Sequence, residues 1–534
     1  MARLSNNHAP SGGIFSSAAH DHVSLRTWLC LLGVLMGCFM AVLNIVVTNA
    51  SLLHIAGTLG ASADEISWVP TAYLVAEIIV IPLTAWLVSV FSLRNYLFVN
   101  SILFVFFSVC CGRARSLELM ILFRVFQGFT GGVLIPLTFV VILQYLPRSK
   151  QPIGMALFTL TTTLGPSIGP LLGGWLTDNY GWPFIFYLNV GPGLILVAAV
   201  LLLDKQPHHL SLLKKADWWG ILTMAAGLAS LEIVLENGNR KDWFGDPLIL
   251  KLACTALILL PAFVFIELRS KDPLIDLRLF ARRNFGAGCA TNLLMGVGLY
   301  GAVYILPIYL GLIHGYSAYQ IGTVIIWMGI PQLLIIPIVP KLMQHFDSRW
   351  LISIGIVFFG GGCFLTSHLS MAFAGPQFHL SLFIRAFGLP LIIVPLASVS
   401  TAGMAKGRES GDAAALYNMM VNLGGSFGIA GLATLLSVRE RFHSARLGES
   451  VSLYSAATRS RLDEANAYFL AKGSNEYSAH MRALGALGGI VRREAYIQAF
   501  SDCFLVLGCA LLTSIVAVFF MKKVKAPEGP EAAH

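Results

Sequence analysis

Leu164-Gly165-Pro166-Ser167-Ile168-Gly169 returns 259 residues further on as Leu423-Gly424-Gly425-Ser426-Phe427-Gly428. Ile135-Pro136-Leu137 returns at the same offset as Val394-Pro395-Leu396. Chance likeness between Gly-rich helices has no reason to keep one spacing, so two matches at one offset predict two homologous halves. Two parallel halves with a site between them near the bilayer midplane describe a rocking-type secondary transporter.

Composition says which solvent surrounds those halves. Of 534 residues, 56% are hydrophobic and 12% charged, and mean hydropathy is +0.74. A soluble domain carries about 25% charged residues. A soluble fold, a disordered chain and a secreted disulfide scaffold are therefore excluded, and an all-α polytopic membrane protein is expected. The net charge of +9 does not point to nucleic acid, because the basic residues recur in short groups between apolar runs, as membrane topology requires. The nine cysteines lie in apolar stretches without metal-type spacing and read as small buried hydrophobes. No metal site and no cofactor is expected. Neither a Walker A, nor a His-Glu-x-x-His pair, nor a nucleophile elbow is read in the chain, which argues against an ATP-driven pump or an enzyme. The first apolar run is too long for a cleaved leader and reads as a retained span.

A helix needs about 20 apolar residues to cross a bilayer. Fourteen such runs are read, at about 27–53, 66–89, 95–112, 117–145, 152–177, 183–203, 217–236, 247–268, 285–312, 319–340, 350–369, 377–402, 411–436 and 496–521. With the N-terminus in the cytoplasm, twenty Lys and Arg fall in inside segments and five in short outside loops. Loop 437–495 holds nine more but is long enough to be exempt from the positive-inside rule. The expected organisation is a cytoplasmic tail (1–26), a six-helix half (27–203) and a linker with two inserted helices (204–284). A second six-helix half (285–521) with its long external loop (437–495) and a cytoplasmic tail (522–534) complete it. The expected location is the inner (plasma) membrane, multi-pass, with both termini cytoplasmic. Loop 437–495 reads either as a docking surface or as a loosely packed outside helix.

Within span 5, Gly165, Gly169 and Gly173 are four apart and share one helix face, which lets another helix approach closely in lipid. Pro166 and Pro170 remove backbone donors and favour a bend. Together with Gly174 they predict a gating helix at the interface between the halves; a plain packing motif is the alternative. Asn418 and Asn422, at i and i+4 on span 13, share a face and fit either the substrate cavity or an interhelical bond.

The pattern Gly165-x3-Gly169-Pro170-x2-Gly173-Gly174 resembles motif C, the antiporter motif of the major facilitator superfamily. Ser67-Trp68-Val69-Pro70-Thr71-Ala72-Tyr73-Leu74-Val75-Ala76-Glu77 with Ile81-Pro82-Leu83-Thr84 resembles span 2 of its fourteen-spanner drug:proton antiporters (EmrB/QacA-type). Phe123-Arg124-Val125-Phe126-Gln127-Gly128 resembles their motif B. Asp272-Pro273-Leu274-Ile275-Asp276-Leu277 with Arg283-Asn284-Phe285 resembles the entry to their second half, and the long loop before the last span resembles the EmrB branch. The resemblance implies a major facilitator fold of two six-helix halves plus two inserted helices, and proton-driven export of lipophilic small molecules. The EmrB branch further implies a periplasmic membrane-fusion adaptor and an outer-membrane channel as partners. Two positions depart from the pattern. Asn44, in Leu43-Asn44-Ile45-Val46-Val47-Thr48-Asn49, stands where an Asp is usual and cannot carry a proton. The motif A stretch from Ala85 to Arg94 has lost its acidic residue and most of its basic residues and glycines.

Glu77 is the sharpest candidate for proton coupling. It lies about halfway along span 2, and an ionised group near the bilayer centre costs roughly 2.5–3.5 kcal/mol. Such residues usually face a cavity or a partner; a protonated Glu bonded to a neighbouring helix is the structural alternative. Arg124 is the second candidate. It stays charged and needs acceptors, unless it snorkels to the membrane edge. Arg385 holds a similar place in the second half and reads as structural or anion-facing. Asn44, Asn49, Trp68, Tyr73, Gln127, Asn418 and Asn422 are the candidate cavity residues, with lipid or core packing as the alternative for the aromatics. Glu232 and Glu236 are expected near the outer surface, and Glu267 solvated at the inner end of span 8. The expected function is a proton-coupled exporter of lipophilic drugs or toxic small molecules working by alternating access. An uncoupled or differently coupled exporter of one metabolite, and a non-transporting membrane receptor or scaffold, are the rivals.

Overall fold

A computed structural model of the chain describes residues 23–204, 207–270, 273–405 and 407–523, and these residues form helices without strands. The tails at 1–22 and 524–534, together with Lys205, Gln206, Lys271, Asp272 and Lys406, lie outside the described residues. Among the described residues, fourteen helices are long and apolar enough to cross a membrane. They are Leu25–Ala50, Trp68–Phe91, Leu93–Gly112, Leu117–Tyr145, Gln151–Tyr180, Pro183–Val200, Trp218–Asn237, Pro247–Arg269, Arg283–His314, Ala318–Ile335, Ser348–Thr366, Gly375–Ser400, Arg408–Ser450 and Glu476–Phe519; they are spans 1 to 14 below. All fourteen expected runs have their helix.

Polar side chains close the helix starts. Ser24 accepts from Thr27 N, Ser116 from Leu119 N, Asp217 from Gly220 N and Asp246 from Leu248 N and Ile249 N. Each satisfies first-turn donors that have no partner within the helix. Asp347 does the same for span 11, accepting from Arg349 N at 3.0 Å, and its Oδ2 lies 2.8 Å from Arg349 Nη2. The Arg349 guanidinium beside Asp347 holds its carboxyl below the usual carboxylate range. Asp347→Ala should therefore cost about 0.5–2 kcal/mol at neutral pH. A carboxyl depressed in the folded state stabilises fully above its unfolded value of about 3.9, and the effect is lost as pH falls further. Thermal unfolding in detergent should show the two proteins converging below about pH 4.

Two features differ from the run-by-run expectation. Span 4 is two helices, Leu117–Gly131 and Leu134–Tyr145. Pro136 has no N–H to give the preceding turn, so the ladder opens at Gly132-Val133. Segment 437–495 is not a free loop. Spans 13 and 14 run on as continuous helices to Ser450 and from Glu476, and Ala456–Ala471 packs on span 14. Arg439 Nε and His443 Nε2 meet Asp502 Oδ2 at 2.6 and 2.7 Å, and Arg492 Nε lies 3.5 Å from Glu440 Oε1. Hydropathy tests for lipid, not for helix, which is why the segment read as a loop. The cysteines divide: six are buried, Cys110 is half-buried, and Cys254 and Cys509 are exposed on the bundle surface.

Candidate functional site

The repeat is a repeat of packing. A Cβ built on Gly165 would lie 2.8 Å from Val42 Cγ1, on Gly169 3.0 Å from Val46 Cβ, and on Gly173 3.1 Å from Val47 O. The glycine ladder of span 5 thus closes on span 1, inside the first half. In the second half the same motif closes on span 9: Gly424 against Leu293 O, Gly425 against the Tyr300 ring, Gly428 against Val297. The neighbouring face of span 5 makes the contact between halves. Leu171 meets Gly322, Ser167 meets Gly329, and Gly174 meets Ala318 and Tyr319 of span 10. Pro166 and Pro170 lie in a helix that continues from Gln151 to Tyr180. Both copies spell Gly-x-Ser-x-Gly, but each lies within a continuous helix rather than at a strand-to-helix turn, so neither is a nucleophile elbow.

Arg124 is fully buried (0% exposed), which overturns the snorkelling alternative. Its Nε donates to Val69 O at 3.2 Å. Its Nη1 donates to Gln127 Oε1 at 2.9 Å and to Asn44 Oδ1 at 3.4 Å. The guanidinium carbon sits 4.4 Å from the Tyr73 ring centre and 5.8 Å from that of Phe186. Gln127 is held in turn by its amide, which donates to Ser108 Oγ at 2.8 Å. A permanent cation is therefore surrounded by neutral oxygens and ring faces. Asn44, standing where the resemblance leads one to expect Asp, supplies an acceptor without charge.

Glu77 is buried (3% exposed) and its Oε2 has no hydrogen-bond partner. Among the described residues no ion pair joins it to Arg124 or to another basic side chain. It packs where span 4 breaks: a Cβ on Gly132 would lie 2.8 Å from Glu77 Cα. Gly128 approaches the Tyr73 backbone in the same way, so motif B supplies both the buried arginine and the small residues that let span 4 press on span 2. The other sequence candidates are spread. Tyr73 and Gln127 are part of the Arg124 cluster, and Trp68 is half-buried at the start of span 2. Asn49 is exposed and takes no part in the cluster. Asn418 donates to Ala414 O of its own helix, and Asn422 Oδ1 accepts from the Tyr300 hydroxyl at 3.4 Å.

Three acids were misread or missed. Glu232 is buried (2% exposed) against span 13, not at an outer surface, and its Oε1 accepts from Ser426 Oγ at 2.8 Å. Glu267 is buried rather than solvated, and its Oε2 accepts from Ile275 N at 3.4 Å. Asp412, at the start of span 13, is buried beside Arg408 at 3.9 Å. The signal for Glu232 was present: one acid in the apolar run Leu228-Ala229-Ser230-Leu231-Glu232-Ile233-Val234-Leu235, the pattern that marks an intramembrane ionisable group. Near Asp412 the two halves also meet, Gly411 lying against Ala85 of the degraded motif A. Beside this contact, Arg282 pairs with Glu409 and Arg408 reaches Pro273 O, joining the linker to span 13. Arg385 is fully buried, with its guanidinium 5.7 Å from the Phe504 ring centre and Nε and Nη2 unpartnered.

Comparison with known proteins adds the family. A model described as Major Facilitator Superfamily matches residues 29–429. The colistin resistance protein EmrB of Acinetobacter baumannii is 31% identical over 503 residues, covering 93% of this chain and 97% of that protein. The multidrug export protein EmrB of Escherichia coli (strain K12) is 33% identical over 422 residues, covering 78% and 81%. Among solved structures, the proton:xylose symporter XylE superposes with a TM-score of 0.57 at 12% identity, covering 93% of this chain and 95% of that one; this likeness concerns the fold.

Proposed function

The chain belongs to the major facilitator superfamily, and from that premise we propose that it is a proton-coupled exporter of lipophilic drugs or toxic small molecules, working by alternating access. The relatives named for multidrug export and colistin resistance support the direction and the substrate class. The observation that carries the coupling is Glu77: a buried carboxyl without a counter-ion, at the break in span 4. A carboxylate in such a place is costly to keep charged, and the proton is the smallest charge that relieves it. An outside proton reaches Glu77 and favours release of the compound outward; inward release of the proton resets the transporter. Arg124 fixes the local field on span 2 through Tyr73 and Val69 O. The glycine seams of spans 5 and 13 keep each half sealed to lipid and water while the halves rock.

Asn44 favours a second reading. With no ionisable group at that position, the protein exports one metabolite without proton exchange. The remaining assignments follow the family: the inner membrane with both termini cytoplasmic, halves at 27–203 and 285–521 around an inserted pair at 204–284, and an adaptor with an outer-membrane channel as partners.

Substrate-triggered proton movement in proteoliposomes, with a panel of lipophilic compounds and fatty acids, tests the reading. Wild type should move protons on compound addition, and Glu77→Gln should abolish the movement. Compound transport by wild type without proton movement favours the uncoupled exporter. Proton movement unaltered in Glu77→Gln takes the coupling site away from span 2.

A further inference from the structure

The inserted pair is not an appendage on the lipid side of the halves. Span 7 packs against span 2 of the first half and span 13 of the second, and those two spans also pack against each other. One inserted helix therefore lies along the seam that separates the halves. Glu232 stands on that helix, buried, with Oε1 bonded to Ser426 of the span 13 glycine motif and Oε2 without a partner.

The Ser426 hydroxyl has one proton and two acceptors within reach, Glu232 Oε1 at 2.8 Å and Asn422 O at 3.3 Å. When Glu232 is ionised, the hydroxyl donates to the carboxylate. When Glu232 carries a proton, the carboxyl donates to Ser426 Oγ and the hydroxyl turns to the Asn422 carbonyl. Both arrangements leave the hydroxyl bonded and require no heavy atom to move. The surrounding ionisable groups do not offer a fixed counter-charge in contact. Glu236 lies one turn further along span 7, Arg240 in the turn beyond its end at Asn237, and Glu77 on span 2, which packs against span 7. Glu267 of span 8 lies at the far end of span 7, beside Gly220. Among the described residues no ion pair joins Glu232 to a basic side chain. A buried carboxylate without a paired cation leaves the proton as its compensating charge.

We propose that Glu232 of the inserted helix is a second proton-carrying residue of the transport cycle, acting with Glu77 across the seam and passing its protonation state to span 13 through Ser426. This rests on the proton-coupled reading above. The proton arriving at the Glu232 carboxylate leaves again from the same oxygen on the opposite half of the cycle. Span 13 feels the exchange as a reversal of the hydrogen bond at its glycine motif.

Two measurements on the full chain test it. Infrared difference spectra of the purified protein between acidic and alkaline buffer should contain a protonated-carboxyl band that vanishes in Glu232→Gln and shifts in Ser426→Ala. In proteoliposomes, with the same compound panel, protons moved per compound should fall about twofold in Glu232→Gln, because Glu77, the carrier without which no proton moves, still carries its own. A band unchanged in both variants, or a wild-type proton ratio in Glu232→Gln, overturns the proposal. Should Glu232→Gln fail to fold, Ser426→Ala keeps the carboxyl in place, and an unshifted band there is enough to reject it. Wild type that moves no protons overturns the coupled reading itself. Proton movement lost in Glu77→Gln and intact in Glu232→Gln overturns only this second carrier.

Discussion

Arg124→Met is expected to reduce proton-coupled export to background, a larger loss than its change in stability accounts for. The guanidinium has no carboxylate partner; its acceptors are Val69 O, Gln127 Oε1 and Asn44 Oδ1, with the Tyr73 ring alongside. Desolvating a charge among neutral partners is expensive, so its removal relieves that cost, but Val69 O, Gln127 Oε1 and Asn44 Oδ1 lose their donor, and a buried acceptor left unsatisfied costs about 1–3 kcal/mol. Met fills the same volume and removes the charge. A residue kept only for packing would show export falling no further than the folded fraction; a residue kept for its field shows export lost in protein that is still folded. Arg124→Lys should not rescue export, because a single ammonium cannot serve oxygens lying in three directions as the planar fork does. Thermal unfolding in detergent and proton movement in proteoliposomes, measured on the same preparations, decide between the two.

Gly424→Ala should be the most damaging of the conservative glycine substitutions in the second half. A Cβ there would lie 2.0 Å from Leu293 O and 2.8 Å from Leu293 C. These are backbone atoms of span 9, so a whole helix must give way; overpacking of this kind costs typically about 1–3 kcal/mol and sometimes more. Gly431, on the same helix, has nothing within 4 Å of its Cβ position. Gly431→Ala should be neutral or gain up to about 1 kcal/mol from helix propensity. Gly165→Ala falls between them, because the obstructing atom, Val42 Cγ1 at 2.8 Å, ends a side chain. Unfolding temperatures should be highest for Gly431→Ala, lower for Gly165→Ala and lowest for Gly424→Ala. Equal values for Gly424→Ala and Gly431→Ala would remove the close approach of spans 9 and 13.

The fold was legible because lipid imposes strong rules on a chain. Fourteen apolar runs and one repeated offset lead directly to fourteen spans in two related halves. The repeated glycines were visible as faces, but a face does not announce its partner. Nothing in Gly165, Gly169 and Gly173 distinguishes span 1 from the opposite half, and the interface instead uses the adjacent residues Ser167, Leu171 and Gly174. Glu77 stood out as an acid in lipid, whereas its separation from Arg124 depends on three-dimensional packing. Glu232 carried the same signal but lay four residues from the end of its run. Its distance from the run's end was taken as nearness to water, when a neighbouring helix covers it. The polar continuation of spans 13 and 14 was hidden for the opposite reason: outside the bilayer, a helix needs no hydropathy.

Those continuations make each of the two helices a lever. At 1.5 Å per residue, a helix of 43 or 44 residues is about 65 Å long, against roughly 30 Å of hydrocarbon, so a large part of each rod projects beyond the membrane. Asp502 with Arg439 and His443, and Glu440 with Arg492, lash the two rods together, so they swing as one arm. A tilt of 10° about the midplane, for a point about 40 Å away along a rigid helix, sweeps the tip through roughly 7 Å. A sub-helical rearrangement deep in the bundle is thereby magnified at the protruding end, and a rigid clamp fastened there should arrest the rocking of the halves from a point far from Glu77 and Glu232.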